Sequence, residues 1–88
     1  MKKEQVDINI TNDNDKEILL IIEPWAEEYN LKPNSSMIMS IYGGSGNRID
    51  TSIGKEYFVV WAWSGSYVNV FIDGVDCTRD SLLIPSPF

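Results

Sequence analysis

Three groups of residues in this 88-residue chain have side chains suited to chemistry: the carboxylates between Asp13 and Glu28, the thiol of Cys77, and a run of aromatics from Tyr57 to Phe71. Glu23 with Glu27 or Glu28 is a carboxylate pair of the kind that hydrolyses glycosides. That reaction also needs a deep cleft, which so short a chain has little material to build. Asp13-Asn14-Asp15-Lys16-Glu17 supplies alternating oxygens, and Asp73-Gly74-Val75-Asp76 supplies two more beside a glycine turn. Neither follows the twelve-residue calcium loop, and Lys16 sits inside the first. Cys77 lies beside Arg79, whose charge favours a thiolate, but no base or oxyanion device accompanies it. Gly43-Gly44-Ser45-Gly46 lacks the Gly-Lys-Ser/Thr of a phosphate-binding loop and reads as a flexible hairpin loop. The chain holds no histidine, which removes the Ser-His-Asp triad, the Cys-His pair and imidazole metal sites. A single cysteine allows neither an internal disulfide nor a four-thiolate zinc site. No set of nucleophile, base and stabiliser assembles, so a non-enzymatic protein without cofactor or metal is expected.

The same residues point instead to recognition. Seven basic and thirteen acidic side chains give a net charge of −6, which repels the phosphate backbone and argues against nucleic acid as a partner. The charge is uneven: residues 1 to 30 carry eight acidic side chains and three lysines, leaving the remainder almost neutral. Asp13, Asp15, Glu17, Glu27 and Glu28, with Glu23 beside them, are therefore candidate contacts for a protein partner with a basic surface. Aromatics are the second candidate. Tyr57, Val59, Trp61 and Trp63 share one face of an extended segment, and Phe58, Val60 and Ala62 share the other. Farther along, Val68, Val70 and Ile72 alternate with Tyr67, Asn69 and Phe71. A hairpin at Ser64-Gly65-Ser66 that pairs the aliphatic faces gathers Tyr57, Trp61, Trp63, Tyr67 and Phe71 on one surface. That surface is either a second packed layer or a recognition face. Trp63 and Tyr67, nearest the hairpin tip, are expected to be at least partly exposed.

The elements that position these residues follow from a hydrophobic period of two. Val6, Ile8 and Ile10 alternate with Asp7 and Asn9 as a half-buried strand. After the turn cluster Asn12 to Asp15, a second strand spans residues 17–23. Its unbroken aliphatic core, Ile18 to Ile22, predicts a central strand covered on both faces, and Pro24 ends it. Trp25 to Tyr29 reads as one helical turn or a loop. Strands are then expected over residues 37–42, 48–53, 56–63 and 67–72, the first of these closed by Gly43 to Asn47. Asp73-Gly74 turns the chain into a last short strand over residues 75–77. No segment keeps a helical period, Leu82 to Ile84 is too short for a helix, and Ile84 to Phe88 is extended or coil. The predicted class is all-β: one domain over residues 1–88, a small antiparallel sandwich or barrel of six to seven strands.

Compartment follows from what interrupts the sequence. Met1-Lys2-Lys3 imitates the basic start of a signal peptide, but Glu4 and Asp7 break the place where an apolar run would begin. The aliphatic run Ile18 to Ile22 falls far short of the ~20 residues of a membrane-spanning helix. With Cys77 alone, a reducing, cytoplasmic location without membrane contact is expected.

Glu23-Pro24-Trp25, followed by Tyr29-Asn30-Leu31-Lys32-Pro33, resembles a segment of small, acidic, all-β bacterial proteins of unknown role, which carry Glu-Pro-Trp and then Tyr-x-Leu-x-Pro-Gly. Phe71-Ile72-Asp73-Gly74 resembles their closing aromatic strand and Asp-Gly turn. Asn34 stands where those proteins have glycine, and asparagine tolerates the same left-handed turn position. The arrangement is also similar to the cupredoxin-like sandwich. Copper is not implied, because the histidine ligands of that family have no counterpart here. The resemblance implies an architecture and a structural role for the Glu-Pro-Trp turn, with Trp25 anchoring the loop. The expected function is a protein–protein binding module, such as an inhibitor or immunity-type protein masking a basic surface. Carbohydrate or small-ligand binding on the aromatic face, or a self-associating structural domain, are the alternatives.

Overall fold

A computed structural model describes residues 5–46 and 48–87. Met1 to Glu4, Asn47 and Phe88, read above as a chain start, a loop residue and the end of a tail, lie outside the described residues. Eight strands form among those described: β1 (Gln5–Thr11), β2 (Ile18–Glu23), β3 (Glu27–Leu31), β4 (Ser36–Tyr42), β5 (Asp50–Ile53), β6 (Tyr57–Trp61), β7 (Tyr67–Ile72) and β8 (Val75–Asp76). One sheet has the order β1-β4-β7-β8 and the other β3-β2-β6-β5. The all-β class holds, as a sandwich of two four-stranded sheets. The number of strands and the direction of one pairing differ from the expectation. There are eight strands, and β2 pairs with β6 in parallel, Leu19 opposite Tyr57 and Glu23 opposite Trp61.

The period of two explains which side chains meet in the middle. Met37, Met39 and Ile41 of β4 and Val68 and Val70 of β7 are fully buried, facing Leu20, Ile22, Leu31 and Val60 of the second sheet. Removing each such side chain from water contributes about 1.5–3 kcal/mol. Leu82, in a 3₁₀ turn at Asp80–Leu83, completes this core from the carboxyl-terminal side. That turn falls where no helix was expected, because three residues suffice for its bonding pattern. Among the described residues no helix is long and apolar enough to cross a membrane.

The segment read as a helical turn or loop is the turn Pro24–Ala26 followed by β3. Tyr29 and Leu31 alternate with exposed Glu28 and Asn30, and the strand pairs with β2 along its whole length. Trp25 does anchor the turn: its Nε1–H donates to the Ile84 carbonyl at 2.9 Å. Asn34 occupies the left-handed region at φ 66°, and Asp73 and Gly74, at φ 49° and 81°, form the two-residue β7–β8 turn.

The largest correction concerns residues 56–72. β6 and β7 lie in different sheets, so Ser64-Gly65-Ser66 is a crossing between sheets and not a hairpin. Beyond Trp61 the Ala62 N–H still bonds the Glu23 carbonyl at 3.0 Å, and then Trp63 turns inward. Ser66 is fully buried there, with its N–H and hydroxyl both donating to the Trp63 carbonyl. The aliphatic faces of β6 and β7 meet across the core, and their aromatic faces point out on opposite sides of the molecule. Gly43 to Gly46 likewise lies between strands of different sheets and is no hairpin; Gly43 and Gly46 are half-buried, while Gly44 and Ser45 are exposed. Gly46 lies so close to Trp63 that an added Cβ would come within 2.7 Å of its Cβ and Cγ.

Candidate functional site

The acidic residues do not converge. Asp13, Asp15 and Glu17 are exposed on the β1–β2 loop, which is shaped by the buried side chain of Asn12. The Asn12 Nδ2 donates to the carbonyls of Lys16 and Leu31, both at 2.9 Å, and its Oδ1 accepts from the Asn14 N–H at 2.9 Å. The loop borders a shallow depression of about 260 Å³ whose lining mixes Asp15, Glu17 and Glu56 with Lys16 and Lys55. Lysines thus interleave with the acids at this end. Ile18 pairs with Leu31 and Ile22 with Glu27, so Glu27 lies at the far end of the sheet, about 13 Å along the strand.

Glu27 is already engaged. Arg79 Nη1 donates to its Oε1 at 2.8 Å and the Ser81 hydroxyl donates to its Oε2. The Ser81 hydroxyl first, and the Arg79 guanidinium second, hold this carboxyl below the usual glutamate range. Arg79 also stacks over Tyr29, 4.2 Å from the ring centre, and the Tyr29 hydroxyl donates to the Cys77 carbonyl at 2.7 Å. Burial pushes the Tyr29 phenol up. These contacts tie β3 to the carboxyl-terminal segment.

Trp63, expected at a partly exposed tip, is only 7% exposed. Its indole N–H donates to the Gly43 carbonyl at 2.7 Å, which satisfies the one polar group that burial would strand. Tyr67 is half-buried on the outer face of the first sheet, stacked on Tyr42 with ring centres 5.5 Å apart.

What the structure does assemble is the outer face of the second sheet. Register places Leu19 beside Tyr57, Ile21 beside Val59, and Glu23 beside Trp61. Glu28 flanks Ile21 across β3, and Asp50 flanks Trp61 across β5. Leu19, Ile21 and Val59 are half-buried, while Tyr57 and Trp61 remain 44% and 46% exposed. The result is an apolar stripe two strands wide with carboxylates along its margins. Asp50 pairs with Arg48 at 3.3 Å, an exposed contact of little energetic weight, whereas Glu28 stands exposed. Of the residues expected to form an aromatic face, Tyr57 and Trp61 are here, Tyr67 and Phe71 lie on the opposite sheet, and Trp63 is inside.

Leu19 and Ile21 were missed because β2 was expected to be covered on both faces. It is central in its sheet, but only Leu20 and Ile22 face the core. The signal that could have found them is the length of the aliphatic run itself: in a two-layer sandwich one of its faces must look outward. Such a face can bury apolar area and stack rings. Among the described residues no group of three or more carboxylates or thiols is placed to hold a metal ion. Comparison with family models, curated proteins and solved structures returns no significant match for this chain.

Proposed function

We propose that this protein is a non-enzymatic binding module that docks a partner protein on the outer face of its second sheet. Leu19, Ile21, Tyr57, Val59 and Trp61 form the apolar centre, and Glu23 and Glu28 the acidic rim. The observation that carries the reading is the pair Tyr57 and Trp61, nearly half exposed on a contiguous apolar face. Large aromatics in such a setting are the usual energetic centres of protein contacts. A matching partner presents an apolar patch ringed by lysine or arginine, since the chain carries −6 overall. Masking a basic enzyme surface, as an inhibitor or immunity-type protein does, fits this size and charge. The resemblance to small acidic bacterial proteins and the lone cysteine, Cys77, support a reducing bacterial cytoplasm as its location.

The test compares capture of binding proteins from the native host by the unaltered chain and by variants. A basic partner should be held at low salt and released as salt rises. Trp61→Ala should weaken its capture about 30-fold, Glu23→Gln with Glu28→Gln should weaken it less, and Asp13→Asn with Asp15→Asn should leave it unchanged. Capture that ignores Trp61→Ala refutes this face as the site. The same two rings, four residues apart on one strand, also suit stacking on a sugar chain. Tryptophan fluorescence that shifts with a glycan, and fails to shift in Trp61→Ala, would favour that second reading.

A further inference from the structure

We propose that the chain self-associates through β1, two copies pairing antiparallel about a two-fold axis at Ile8 to extend the first sheet across both molecules. Four strands border the two sheets, and three are poor templates. β8 has two residues and is followed by Thr78, whose hydroxyl accepts the Val70 N–H at 2.8 Å. β3 is tied to the carboxyl-terminal segment through Glu27 and Tyr29. β5 has four residues. β1 runs for seven regular residues with no proline, glycine or lysine among them, and Asp7 is the one charged side chain on this edge.

The direction of its free backbone groups can be read from the ladder. The Asn12 N–H donates to the Ser35 carbonyl at 3.0 Å, one residue beyond the pair Thr11 and Ser36. Alternation then turns the N–H and C=O groups of Ile10, Ile8 and Val6 toward β4, and those of Thr11, Asn9, Asp7 and Gln5 toward the open side. An antiparallel pairing centred on Ile8 sets Gln5 opposite Thr11 of the second copy and Asp7 opposite Asn9. Every open-side group then meets a hydrogen-bonding partner, and no like charges face each other. A register centred on Asp7 would oppose two carboxylates instead. On the core side, Val6, Ile8 and Ile10 are only half-buried, and this pairing adds apolar neighbours to each. Two seven-residue edges fall below the ~1,600 Å² of a standard interface, so the dimer is weak, with a dissociation constant between about 10 µM and 1 mM. It leaves the outer face of the second sheet free.

Sedimentation equilibrium of the full chain over that concentration range tests the proposal. The unaltered chain should pass from monomer to dimer. Asn9→Lys should tighten the dimer and Asn9→Asp loosen it, each by roughly two- to thirtyfold, since two symmetric cross-strand pairs change. Asp15→Asn, which alters net charge by the same amount as Asn9→Lys, should have a much smaller effect. Asn9→Pro removes an N–H on the open side without touching the β4 ladder, and should abolish the dimer. Rising salt should tighten the dimer by screening its net negative charge, opposite in sign to the partner contact proposed above. A monomer at all concentrations, or a dimer that ignores both Asn9→Asp and Asn9→Pro, overturns the proposal.

Discussion

Glu27 shows how one carboxylate can be taken out of a surface and put to structural use. Its oxygens accept from Ser81 and Arg79, and these bonds favour its charged form in the folded protein alone. A glutamate in the unfolded chain titrates near 4.3. With the folded value below that, the stabilisation is complete above the unfolded value and is lost as pH falls through the folded one. Glu27→Gln is therefore expected to cost about 1–2 kcal/mol at neutral pH and to flatten the acid limb of the stability profile below about pH 5. Urea unfolding across that range measures both. A residual slope should survive in the variant. Asp73, held low by the Ser36 N–H, and Asp76, held low by the Thr78 N–H, keep their own contributions. If the two profiles stay parallel down to acid, the Glu27 clamp does not form in solution.

At the scale of elements, two glycines separate core support from surface support. Gly46 lies against the buried ring of Trp63, whereas an added Cβ at Gly54 would come within 2.0 Å of the exposed Tyr57 ring. Trp63 is pinned by its bond to Gly43 and cannot yield, so Gly46→Ala is expected to destabilise by about 1–3 kcal/mol. Tyr57 can swing into solvent. Gly54→Ala should cost little stability yet displace that ring from the stripe, visible as a changed chemical shift of the Tyr57 ring protons. Much of this layer was legible in the sequence. Val6, Ile8 and Ile10 announced β1 by alternation, and Asp73-Gly74 announced its turn by the φ values those residues tolerate. β3 was obscured because Ala26-Glu27-Glu28 suits a helical turn, although Tyr29 and Leu31 already alternate with polar neighbours. The candidate site was less legible for a different reason. Alternation shows that Tyr57 and Trp61 share a face, but which strand lies beside them depends on pairings far apart in sequence. Ser64-Gly65-Ser66 satisfies hairpin chemistry locally, and only the burial of Trp63 and Ser66 reveals that the chain changes sheets there.

At the scale of the molecule, the two faces differ in character. The first sheet's outer surface sets Asp7, Asn9, Ser40 and Asn69 among Ile38, Phe71 and the stacked Tyr42 and Tyr67, and the second presents the apolar stripe with its carboxylate margins. A protein that meets its partner on one sheet and its own copy on the edge of the other can bind two partners at once. The crossing at Ser64 to Ser66 has a further consequence, and it concerns time. Only β2–β3, β5–β6 and β7–β8 are neighbours in both sequence and space. β1 must find β4, β4 must find β7, and β2 must wait for the parallel strand β6 more than thirty residues later. No strand-by-strand zipper leads to this topology, because loops must close at an entropic cost before any of those ladders returns a contact. Refolding from urea, followed by tryptophan fluorescence in a stopped-flow instrument, is accordingly expected on the scale of milliseconds to seconds instead of microseconds.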